Sequence, residues 1–394
     1  MPADLPGRGT AHRVLMATPY YPPHDGGVER YVSSLVRQIR LQTDWSVAVV
    51  TSGPEQSGGD VSYSAVDGVG IYRLPYRLRI SNTPIDRRWR QQLKDVLRQE
   101  DPTVVNAHAP VPGLADLAAS VVGSRPFVLT YHTGPMRKDG VVDDLLVRTY
   151  QRLVLPRTMR RADAIIAGSE WVRSTLPAQF RGRAVTIHPG VDPDVFTPGD
   201  PDPVGAPVEA LFVGTLEEGT RYKNLPDLLR ATRLLIDGGT EISLRVVGDG
   251  GARAEYEELA RSLGLTDQVT FTGSLAGAAL TAEYRRTSFT VLPTLFDSFP
   301  TVLVEAMACG RPVISTTTGG IVELVTPGVN GLLVTPGDVH SLTSAMKKLV
   351  DDPELRRRLG ADARQNVASR LSWRHQAQRT IAVLTAAVTE RTDS

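Results

Sequence analysis

Short apolar runs alternate with stretches of helical periodicity along almost the whole chain. The first run, Arg13–Thr18, is followed by a loop rich in proline and glycine and then by apolar residues at helical spacing: Val28, Val32, Leu35, Val36 and Ile39. Further strands are predicted in the first half at Ser46–Thr51, Thr103–Ala107, Phe127–His132, Ala164–Ala167 and Val185–Ile187. Such alternation favours parallel sheets whose strands are joined by crossover helices.

The segment Pro189–Val208 interrupts this pattern. It contains six prolines and three glycines and has no periodicity, which is typical of a linker. The alternation then resumes, with strands predicted at Ala210–Gly214, Ser243–Gly248, Val269–Thr272, Phe289–Leu292 and Pro312–Thr316, and helices at Asn224–Ile236, about Thr301–Ala308 and Leu371–Thr389. We predict an α/β protein of two doubly wound, Rossmann-like domains joined by a hinge. A ligand is expected between them, at the carboxyl ends of the strands.

Composition narrows the class of protein further. The chain has 394 residues, 41% hydrophobic and 22% charged, as expected for a globular protein of about two or three domains. The single cysteine, Cys309, excludes an intramolecular disulfide and a cysteine-cage metal site. The N-terminus is polar, and no uncharged apolar run approaches the roughly 20 residues of a membrane span. We therefore expect a soluble, cytoplasmic protein.

The net charge of +1 conceals two halves of opposite sign. Residues 1–196 contain 24 basic and 19 acidic side chains, whereas the remainder contains 20 and 24. Such asymmetry often reflects different partners for the two halves. Only five of the 44 basic residues are lysines, so each lysine carries slightly more information.

A pair of glycines, Gly26-Gly27, follows the first predicted strand. A strand, a glycine-rich turn and a helix N-terminus present free backbone N–H groups and a positive dipole end to an anion. The pattern is not GxGxxG, so the dinucleotide fingerprint is absent here. A tight turn that needs glycine for its backbone angles is the alternative.

The segment FVGTLEEGTRYKN, residues 212–224, combines a strand, a glycine and two cations. Arg221 and Lys223 precede a predicted helix, where a cation could meet a departing diphosphate. The spacing alone favours a solvated loop with two surface charges.

The segment LFDSFPTVLVEAMACGRPVISTTTGG, residues 295–320, is the most informative. Asp297 follows a predicted strand, and Glu305 lies eight residues later on the next helix among apolar neighbours. A buried carboxylate needs a hydrogen-bonding partner, which a ribose diol could supply. A salt bridge to an arginine of the same domain is the alternative.

These last residues resemble the E-x7-E region of retaining GT-B glycosyltransferases of family four. The similarity covers nearly the whole chain and is carried by motifs in the family's order. They are the GG-x-E loop as Gly26-Gly27-Val28-Glu29, RADAIIAGSEWVR (161–173), IHPGVDPDVF (187–196), FVGTL (212–216), VVGDG (246–250), VTFTGSL (269–275) and NGLLV (330–334). One such motif would be weak evidence, but their order and spacing make the match specific.

The resemblance implies a division of labour between two domains that face each other across a cleft. Residues 1–196 would bind the acceptor, residues 197–370 would bind a UDP- or GDP-sugar, and residues 371–394 would form a helix that packs back on the first domain. The nucleotide sugar would be a co-substrate, with no separate cofactor and no metal ion. Asp192-Pro193-Asp194 superficially resembles a metal-binding DxD, but it follows the PGV motif and we do not expect a metal there.

The resemblance also assigns roles to individual residues. Glu305 would hold the ribose hydroxyls. Asp297, with the backbone of Ser298, Phe299 and Thr301, would hold the hexose. Lys223 would neutralise the diphosphate with help from Gly26 and Gly27, and Leu275 would line the base. His132 would face the donor sugar, whereas without the family a lone histidine there is more often structural. The catalytic set is thus His132, Lys223 and Asp297, and the donor-binding set also includes Gly214, Thr215, Arg221 and Gly248.

Three positions depart from the family pattern. Thr215 stands where an arginine is usual, and Arg221 is a candidate to supply the missing charge. Pro300 replaces a common glycine and so removes one backbone donor to the sugar. Asp297 replaces the more frequent glutamate, which shortens the reach by one methylene.

Two basic stretches lie in the first half. Eight basic residues fall between Arg73 and Arg98, with Tyr76 and Trp89 interleaved, and a second cluster comprises Arg148, Arg152, Arg157, Arg160 and Arg161. They could contact an anionic membrane or a lipid phosphate at about 1 kcal/mol per basic residue. A solvated helix face is the alternative. A nucleic acid is not expected, because the aromatic residues do not form a stacking series.

The sequence therefore predicts a retaining hexosyltransferase that uses a UDP- or GDP-sugar and acts on a hydroxyl group of a glycan, a glycolipid or a small molecule. Transfer would run through an oxocarbenium-like, front-side route, unlike that of retaining hydrolases, whose two carboxylates flank the bond. Two alternatives remain open: a sugar-nucleotide epimerase of the same architecture, and a non-catalytic protein that binds a sugar nucleotide.

Overall fold

The computed structural model describes residues 12–23, 26–54, 59–80, 83–136, 141–199 and 207–392. The chain divides into two compact units: one reaches to Ile187 and resumes at Gln376, and the other is His188–His375. Each unit has its own large sheet and its own cluster of buried apolar side chains. The predicted α/β class with two doubly wound domains is confirmed.

The first unit is built on an eight-stranded sheet and a small hairpin. Its strands are β1 (Arg13–Ala17), β2 (Ser46–Pro54), β3 (Ser62–Val66), β4 (Val69–Tyr76), β5 (Leu78–Ile80), β6 (Thr83–Ile85), β7 (Val104–Ala109), β8 (Phe127–Tyr131), β9 (Ala164–Ala167) and β10 (Ala184–Thr186). The order in the large sheet is β10-β9-β8-β7-β1-β2-β4-β3, while β5 and β6 pair only with each other. All neighbours in the large sheet are parallel except β3 and β4. Its central strands are apolar along their length because helices cover both faces.

The helices of the first unit lie between its strands along the chain. They are α1 (Gly27–Gln42), α2 (Trp89–Glu100), α3 (Leu114–Val121), α4 (Val141–Leu153), α5 (Leu155–Arg161), α6 (Glu170–Thr175) and α7 (Ala178–Arg181). On α1, Val32, Leu35, Val36 and Ile39 are buried, at 0–2% exposure. This helix therefore packs on the sheet with the stripe that the sequence indicates.

The second unit contains a fully parallel, six-stranded sheet. Its strands are β11 (Val208–Val213), β12 (Ile242–Val247), β13 (Val269–Gly273), β14 (Phe289–Leu292), β15 (Val313–Thr316) and β16 (Gly331–Val334), in the order β13-β12-β11-β14-β15-β16. This is the 3-2-1-4-5-6 order of a dinucleotide-binding fold, in which the direction of strand addition reverses next to the first strand. For this unit the reversal lies between β11 and β14.

Helices surround the second sheet and close the chain. They are a 3-10 helix (Glu218–Lys223), α8 (Leu225–Asp237), α9 (Arg253–Ser262), α10 (Gly277–Arg286), α11 (Thr301–Ala308), α12 (Ile321–Leu324), α13 (Val339–Asp351), α14 (Pro353–Arg370) and α15 (Trp373–Thr392). Most of α15 belongs to the first unit. There Arg391 Nη2 donates to Asp163 Oδ1 at 2.9 Å and Arg379 Nη2 donates to the carbonyl oxygen of Thr186 at 2.7 Å.

The compact units differ by a few residues from the predicted domain ranges. The second unit begins at His188 and not after Phe196, and it ends at His375 and not at Arg370. The cause is a short ladder in which Val191 N donates to Leu371 O at 2.8 Å and Trp373 N donates to Val191 O at 2.9 Å. Val191 is also buried in the apolar core of the second unit. The predicted linker therefore starts with a segment that is part of the second unit.

Candidate functional site

The loops that follow β11 and β14 flank the reversal of strand order in the second unit. In open α/β sheets, ligands bind at such a reversal, outside the carboxyl ends of the strands. The first loop carries Gly214, Thr215, Arg221 and Lys223, and the second carries Asp297. Sequence positions some 80 residues apart are thus brought to one edge of the sheet.

Lys223 folds back over the start of its own loop. A Cβ atom built on Gly214 would lie 2.8 Å from Lys223 Cδ and 3.0 Å from Lys223 Nζ. Such distances are below van der Waals contact, so the lysine occupies the space that any side chain at position 214 would need. The absence of a side chain at Gly214 therefore leaves room for the end of the lysine side chain.

Gly248, at the end of β12, packs closely against the backbone of Gly214 in the same loop. Its φ is +153°, and a Cβ atom there would lie 1.9 Å from the carbonyl oxygen of Gly214. Gly214 N donates to Val247 O at 3.0 Å, and Gly248 N donates to Gly273 O at 2.9 Å. Only glycine allows these backbones to approach so closely.

Asp297 lies on the loop after β14 with its carboxyl group turned inward. Its Oδ1 accepts a hydrogen bond from Phe299 N at 3.1 Å. Burial raises the pKa of Asp297 to about 6, against the opposing effects of the Lys223 ammonium and the backbone N–H groups of Phe299 and Ser298. Gly320 N donates a hydrogen bond to the carbonyl oxygen of Asp297 at 3.2 Å, and this bond anchors the loop.

Tyr222 joins the two loops. Its carbonyl oxygen accepts hydrogen bonds from Leu295 N at 2.7 Å and from Thr294 Oγ1 at 3.0 Å. Burial, followed by the charge of Asp297, raises the pKa of the Tyr222 phenol to about 12. Lys223 and Asp297 are thereby placed next to each other through backbone contacts of the residue that precedes the lysine.

Arg221 points away from this pair. It forms a bidentate ion pair with Glu255 on α9, with nitrogen–oxygen distances of 2.7 and 2.6 Å. Thr215 is exposed, and its carbonyl oxygen accepts a hydrogen bond from Thr220 Oγ1 at 2.8 Å. Arg221, the candidate to supply the charge that is missing at Thr215, is therefore already paired with Glu255.

Glu305 is buried on α11, with 7% of its surface exposed. Its Oε2 accepts a hydrogen bond from the Tyr284 hydroxyl on α10 at 2.9 Å. The sequence left open a ribose diol or an arginine as the partner of this carboxylate, and the structure places a tyrosine beside it. A carboxylate has about four acceptor positions, so this bond uses only part of its capacity.

The remaining donor-binding candidates lie on the same segment or close to the core. Phe299 is buried and stacks on His188, with ring centroids 4.6 Å apart, and His188 Nε2 lies 2.9 Å from Glu323 Oε2. Ser298 and Thr301 are half-buried, and Thr301 is the first residue of α11. Leu275 is half-buried after β13 and packs against the apolar core of this unit.

In the first unit, Gly26 and Gly27 lie at the N-terminus of α1. Gly26 is in an extended conformation, with φ −160°, so a left-handed turn is not its reason for being glycine. A Cβ atom there would lie 2.5 Å from Oε2 of the buried Glu29, whereas one on Gly27 would meet nothing within 4 Å. Glu29 thus lies back against the helix terminus that the sequence proposes for an anion.

His132, which follows β8, is not alone. Its Nε2 lies 2.9 Å from Nδ1 of His108 on the neighbouring strand β7, with the ring planes 14° from parallel. Tyr31 of α1 contacts the His132 ring edge-on, with the centroids 4.7 Å apart. Burial lowers the pKa of His132 to about 4, and burial with the nearby His132 lowers the pKa of His108 well below its usual value.

The sequence reasoning missed His108, Tyr222 and Tyr284. Tyr222 and Tyr284 act through contacts that no local pattern signals. His108 had a usable signal, since NAHAP and YHTG each place a histidine at the end of a buried strand. Parallel strands that are adjacent in sequence order commonly pair, which would have brought the two histidines together.

The described part of the chain contains no group of three or more His, Cys, Asp or Glu side chains arranged to hold a metal ion. At Asp192-Pro193-Asp194, the Asp192 carboxylate instead accepts a hydrogen bond from Asp194 N at 3.1 Å. No helix among the described residues is long and apolar enough to cross a membrane.

The basic stretches of the first unit are partly paired. Arg88 forms an ion pair with Asp86 at 2.6 Å, and Arg148 with Asp144 at 2.6 Å. On α4 the leucines Leu145, Leu146 and Leu153 are 52–62% exposed. Arg148 and Arg152 of the second basic cluster therefore share their helix with apolar side chains that face solvent, which the charge pattern did not reveal.

Two family models match the chain. Residues 25–195 match the model described as Glycosyltransferase Family 4, and residues 200–366 match that of Glycosyl transferases group 1. Among curated proteins, the D-inositol 3-phosphate glycosyltransferase of Kribbella flavida is 29% identical over 97% of this chain and 92% of its own length. The D-inositol 3-phosphate glycosyltransferase 1 of Catenulispora acidiphila is 30% identical over 73% of each chain.

Solved structures share the fold. Sucrose-phosphate synthase from Thermosynechococcus elongatus superposes with a TM-score of 0.75 at 21% identity, over 96% of this chain and all of that one. Anabaena HepE in complex with UDP superposes with a TM-score of 0.72 at 18% identity, over 95% of this chain and all of that one. These likenesses confirm the predicted architecture.

Proposed function

We propose that this chain, which belongs to the glycosyltransferase group 1 family, transfers a hexosyl group from a nucleoside-diphosphate sugar to a hydroxyl group with retention of the anomeric configuration. The observation that carries the proposal is the placement of Lys223 beside Asp297 at the reversal of strand order, with Glu305 on the helix that follows. The ammonium group of Lys223 suits a diphosphate. The carboxylate of Asp297 suits a hexose, and that of Glu305 suits a ribose.

Lys223 is proposed to bind the diphosphate. When the glycosidic bond breaks, negative charge increases on the departing diphosphate oxygens. An ammonium group already held over Gly214 stabilises that charge without having to reorganise. This is the interaction that we expect to contribute most to the rate.

Asp297 and the residues after it are proposed to hold the hexose. With a pKa of about 6, the carboxylate is mostly ionised at neutral pH and can accept hydrogen bonds from sugar hydroxyls. Pro300 has no N–H to offer, so the sugar depends more on Asp297 and on the N–H groups of its neighbours. Glu305, which accepts a hydrogen bond from the Tyr284 hydroxyl, is proposed to hold the ribose diol.

The proposed route is a front-side displacement through an oxocarbenium-like transition state. The acceptor oxygen bonds to the anomeric carbon on the face from which the diphosphate leaves, and the acceptor proton passes to the departing phosphate oxygen. His132 in the first unit is proposed to contact the donor sugar, and the N-terminal turn of α1 to approach the diphosphate. We propose that no metal ion is required.

An inositol phosphate is the first acceptor to test. Relatives of this chain bear the name D-inositol 3-phosphate glycosyltransferase. Residues 1–196 carry a net charge of +5, which favours the approach of an anionic acceptor. Glycans and glycolipids are the next classes.

The test is a transfer assay on the full chain with a panel of UDP- and GDP-sugars, in the presence and absence of EDTA. Inositol phosphate and lipid extracts serve as acceptors, and the product is identified by mass spectrometry and its anomeric configuration by NMR. A new glycoside with the donor's configuration supports the proposal. An isomerised donor would indicate an epimerase, and tight nucleotide binding with an unchanged donor would indicate a non-catalytic binding protein.

We also propose a peripheral contact with anionic membranes through α4. Leu145, Arg148 and Arg152 recur at i, i+3 and i+7, so exposed leucine and arginine share one face of this helix. Apolar side chains beside arginines suit the interface of an anionic bilayer. The test is flotation with vesicles with and without phosphatidylserine, comparing Leu145→Ser with Leu41→Ser, an equally exposed leucine on α1. Binding that is unaffected by Leu145→Ser, or is absent, contradicts this contact.

A further inference from the structure

The hydrogen bond between His108 and His132 has a direction that the structure can assign. Both rings are neutral at pH 7, because burial lowers both pKa values below the usual range. In a neutral imidazole one nitrogen donates and the other accepts. Across the 2.9 Å contact, either His108 Nδ1–H donates to His132 Nε2, or His132 Nε2–H donates to His108 Nδ1.

The other nitrogen of His108 distinguishes these two arrangements. His108 is 1% exposed, and its Nε2 has no hydrogen-bond partner among the residues that the structure describes. If His132 were the donor, His108 would carry its proton on Nε2 and bury an N–H group with nothing to receive it. Orphaned buried N–H groups are rarer in proteins than acceptors that lack a donor.

We infer that His108 donates from Nδ1 and thereby holds His132 in the tautomer that carries its proton on Nδ1. His108 is then a positioning residue that acts through His132. The penalty for an unsatisfied buried donor corresponds to a preference of about fivefold or more for this arrangement. Tyr31, packed edge-on against the His132 ring at 4.7 Å, restricts ring rotation and helps to maintain the contact.

The consequence for catalysis rests on the proposed function. With Nε2 occupied by the bond from His108, the proton of His132 lies on Nδ1. Any contact that Nδ1 makes with the substrate is then a donated hydrogen bond, and His132 would not act as a general base. A histidine fixed in one tautomer needs no rearrangement when the substrate arrives.

The direct test is 15N NMR of the full-length protein with labelled histidine, which distinguishes the protonated from the unprotonated nitrogen of each ring. His132→Gln identifies the His132 signals by their loss. At pH 7 we expect His132 to carry its proton on Nδ1 and His108 on Nδ1. A proton on Nε2 of His132, or a charged imidazolium on either ring, would overturn the inference.

The second measurement uses variants of His108. His108→Leu removes the donor, whereas the side-chain amide of His108→Asn offers one at a similar distance from the backbone. We expect the leucine variant to show a mixture of His132 tautomers and a turnover lower by roughly ten- to a hundredfold, the range seen when a hydrogen-bonding partner of a functional histidine is removed. The His108→Asn variant should recover most of the single His132 tautomer and most of the turnover. Equal losses of turnover in the leucine and asparagine variants would contradict a positioning role.

The two measurements separate this inference from the proposed function. The predicted tautomer in a protein that transfers no sugar would leave the inference standing and refute the proposed function. Transfer activity in a protein with the opposite tautomer would refute the inference and leave the proposed function standing.

Discussion

The ammonium-bearing side chain of Lys223 lies over the backbone of Gly214, so a Cβ atom at position 214 would stand 2.8 Å from Lys223 Cδ. Eight residues lie between the two, and this segment includes a 3-10 helix, Glu218–Lys223, that ends at the lysine. Gly214 therefore leaves space for the charged side chain of Lys223 at the edge of the sheet.

Gly214→Ala is expected to displace Lys223 and to lower turnover by about tenfold or more, because a displacement of 1 Å in a positioned group can cost up to a hundredfold in rate. The measurement is the steady-state transfer rate at saturating donor. Gly219→Ala is the matched control in the same loop, since a Cβ atom there meets nothing within 4 Å. Similar rates for the two variants would contradict the role given to Gly214.

Lys223→Ala is expected to lower turnover by about 10² to 10³, as is typical when one preorganised group is removed from a developing negative charge. Lys347→Ala is the control, because Lys347 is an exposed lysine paired with Asp351 on α13. Thermal unfolding of both variants checks that the fold is intact. A well-folded Lys223→Ala variant with nearly unchanged turnover would exclude this lysine from catalysis.

Asp297→Asn is expected to stabilise the protein at neutral pH. The carboxyl has a pKa of about 6 in the folded chain, above about 3.9 in the unfolded chain, so the folded state binds its proton more tightly. Its contribution to stability is fully present below pH 4, declines as the pH rises, and is lost above pH 6. The variant should exceed the wild type by up to about 3 kcal/mol at pH 7.5 and match it near pH 4.

Urea unfolding at the two pH values measures this difference. The asparagine keeps an oxygen that can accept the hydrogen bond from Phe299 N, so the comparison isolates the charge. Asp351→Asn, at an exposed position, should show no such dependence. An Asp297→Asn variant that is less stable than the wild type at pH 7.5 would refute the buried-charge account. Its transfer rate is expected to fall, because the carboxylate is proposed to hold the sugar.

Thr215→Arg is expected to tighten the binding of UDP or GDP severalfold at low salt, since it adds a cation at an exposed position beside Gly214. Arg221→Ala should weaken binding by less than about threefold, because Arg221 is already paired with Glu255. Calorimetric titration at low and high salt measures both, with Thr215→Gln as the uncharged control. A large loss of binding in Arg221→Ala would show that this arginine does compensate for Thr215.

Much of the fold could be predicted because its signals are local. Each buried parallel strand is predicted from an apolar run, and four of the five apolar positions predicted on α1 are buried. The hairpin of β3 and β4 was missed, although its Asp67-Gly68 turn, with φ of 49° and 73°, is a strong hairpin signal. These strands are short or partly exposed, so their apolar pattern is weaker than that of the central strands.

The site was predictable where a motif places residues, and not where distant segments meet. Lys223, Asp297 and Glu305 could be singled out from their motifs, although their roles stay predictions. Their neighbours could not, because Tyr284 reaches Glu305 from another helix and Glu255 reaches Arg221 from α9. The start of the second unit at His188 could not be predicted for the same reason, since it depends on a ladder between Val191 and residues 371–373.

The assignment of residues 376–392 to the first unit has a consequence for the order in which the molecule can be completed during synthesis. A ribosome makes the whole second unit before it makes the part of α15 that carries Arg379 and Arg391. These arginines donate hydrogen bonds to Thr186 and Asp163 of the first unit. The first unit, although begun first, therefore waits for its final contacts until the second has been made. A chain that ends at His375 should leave the second unit protease-resistant and the first one susceptible.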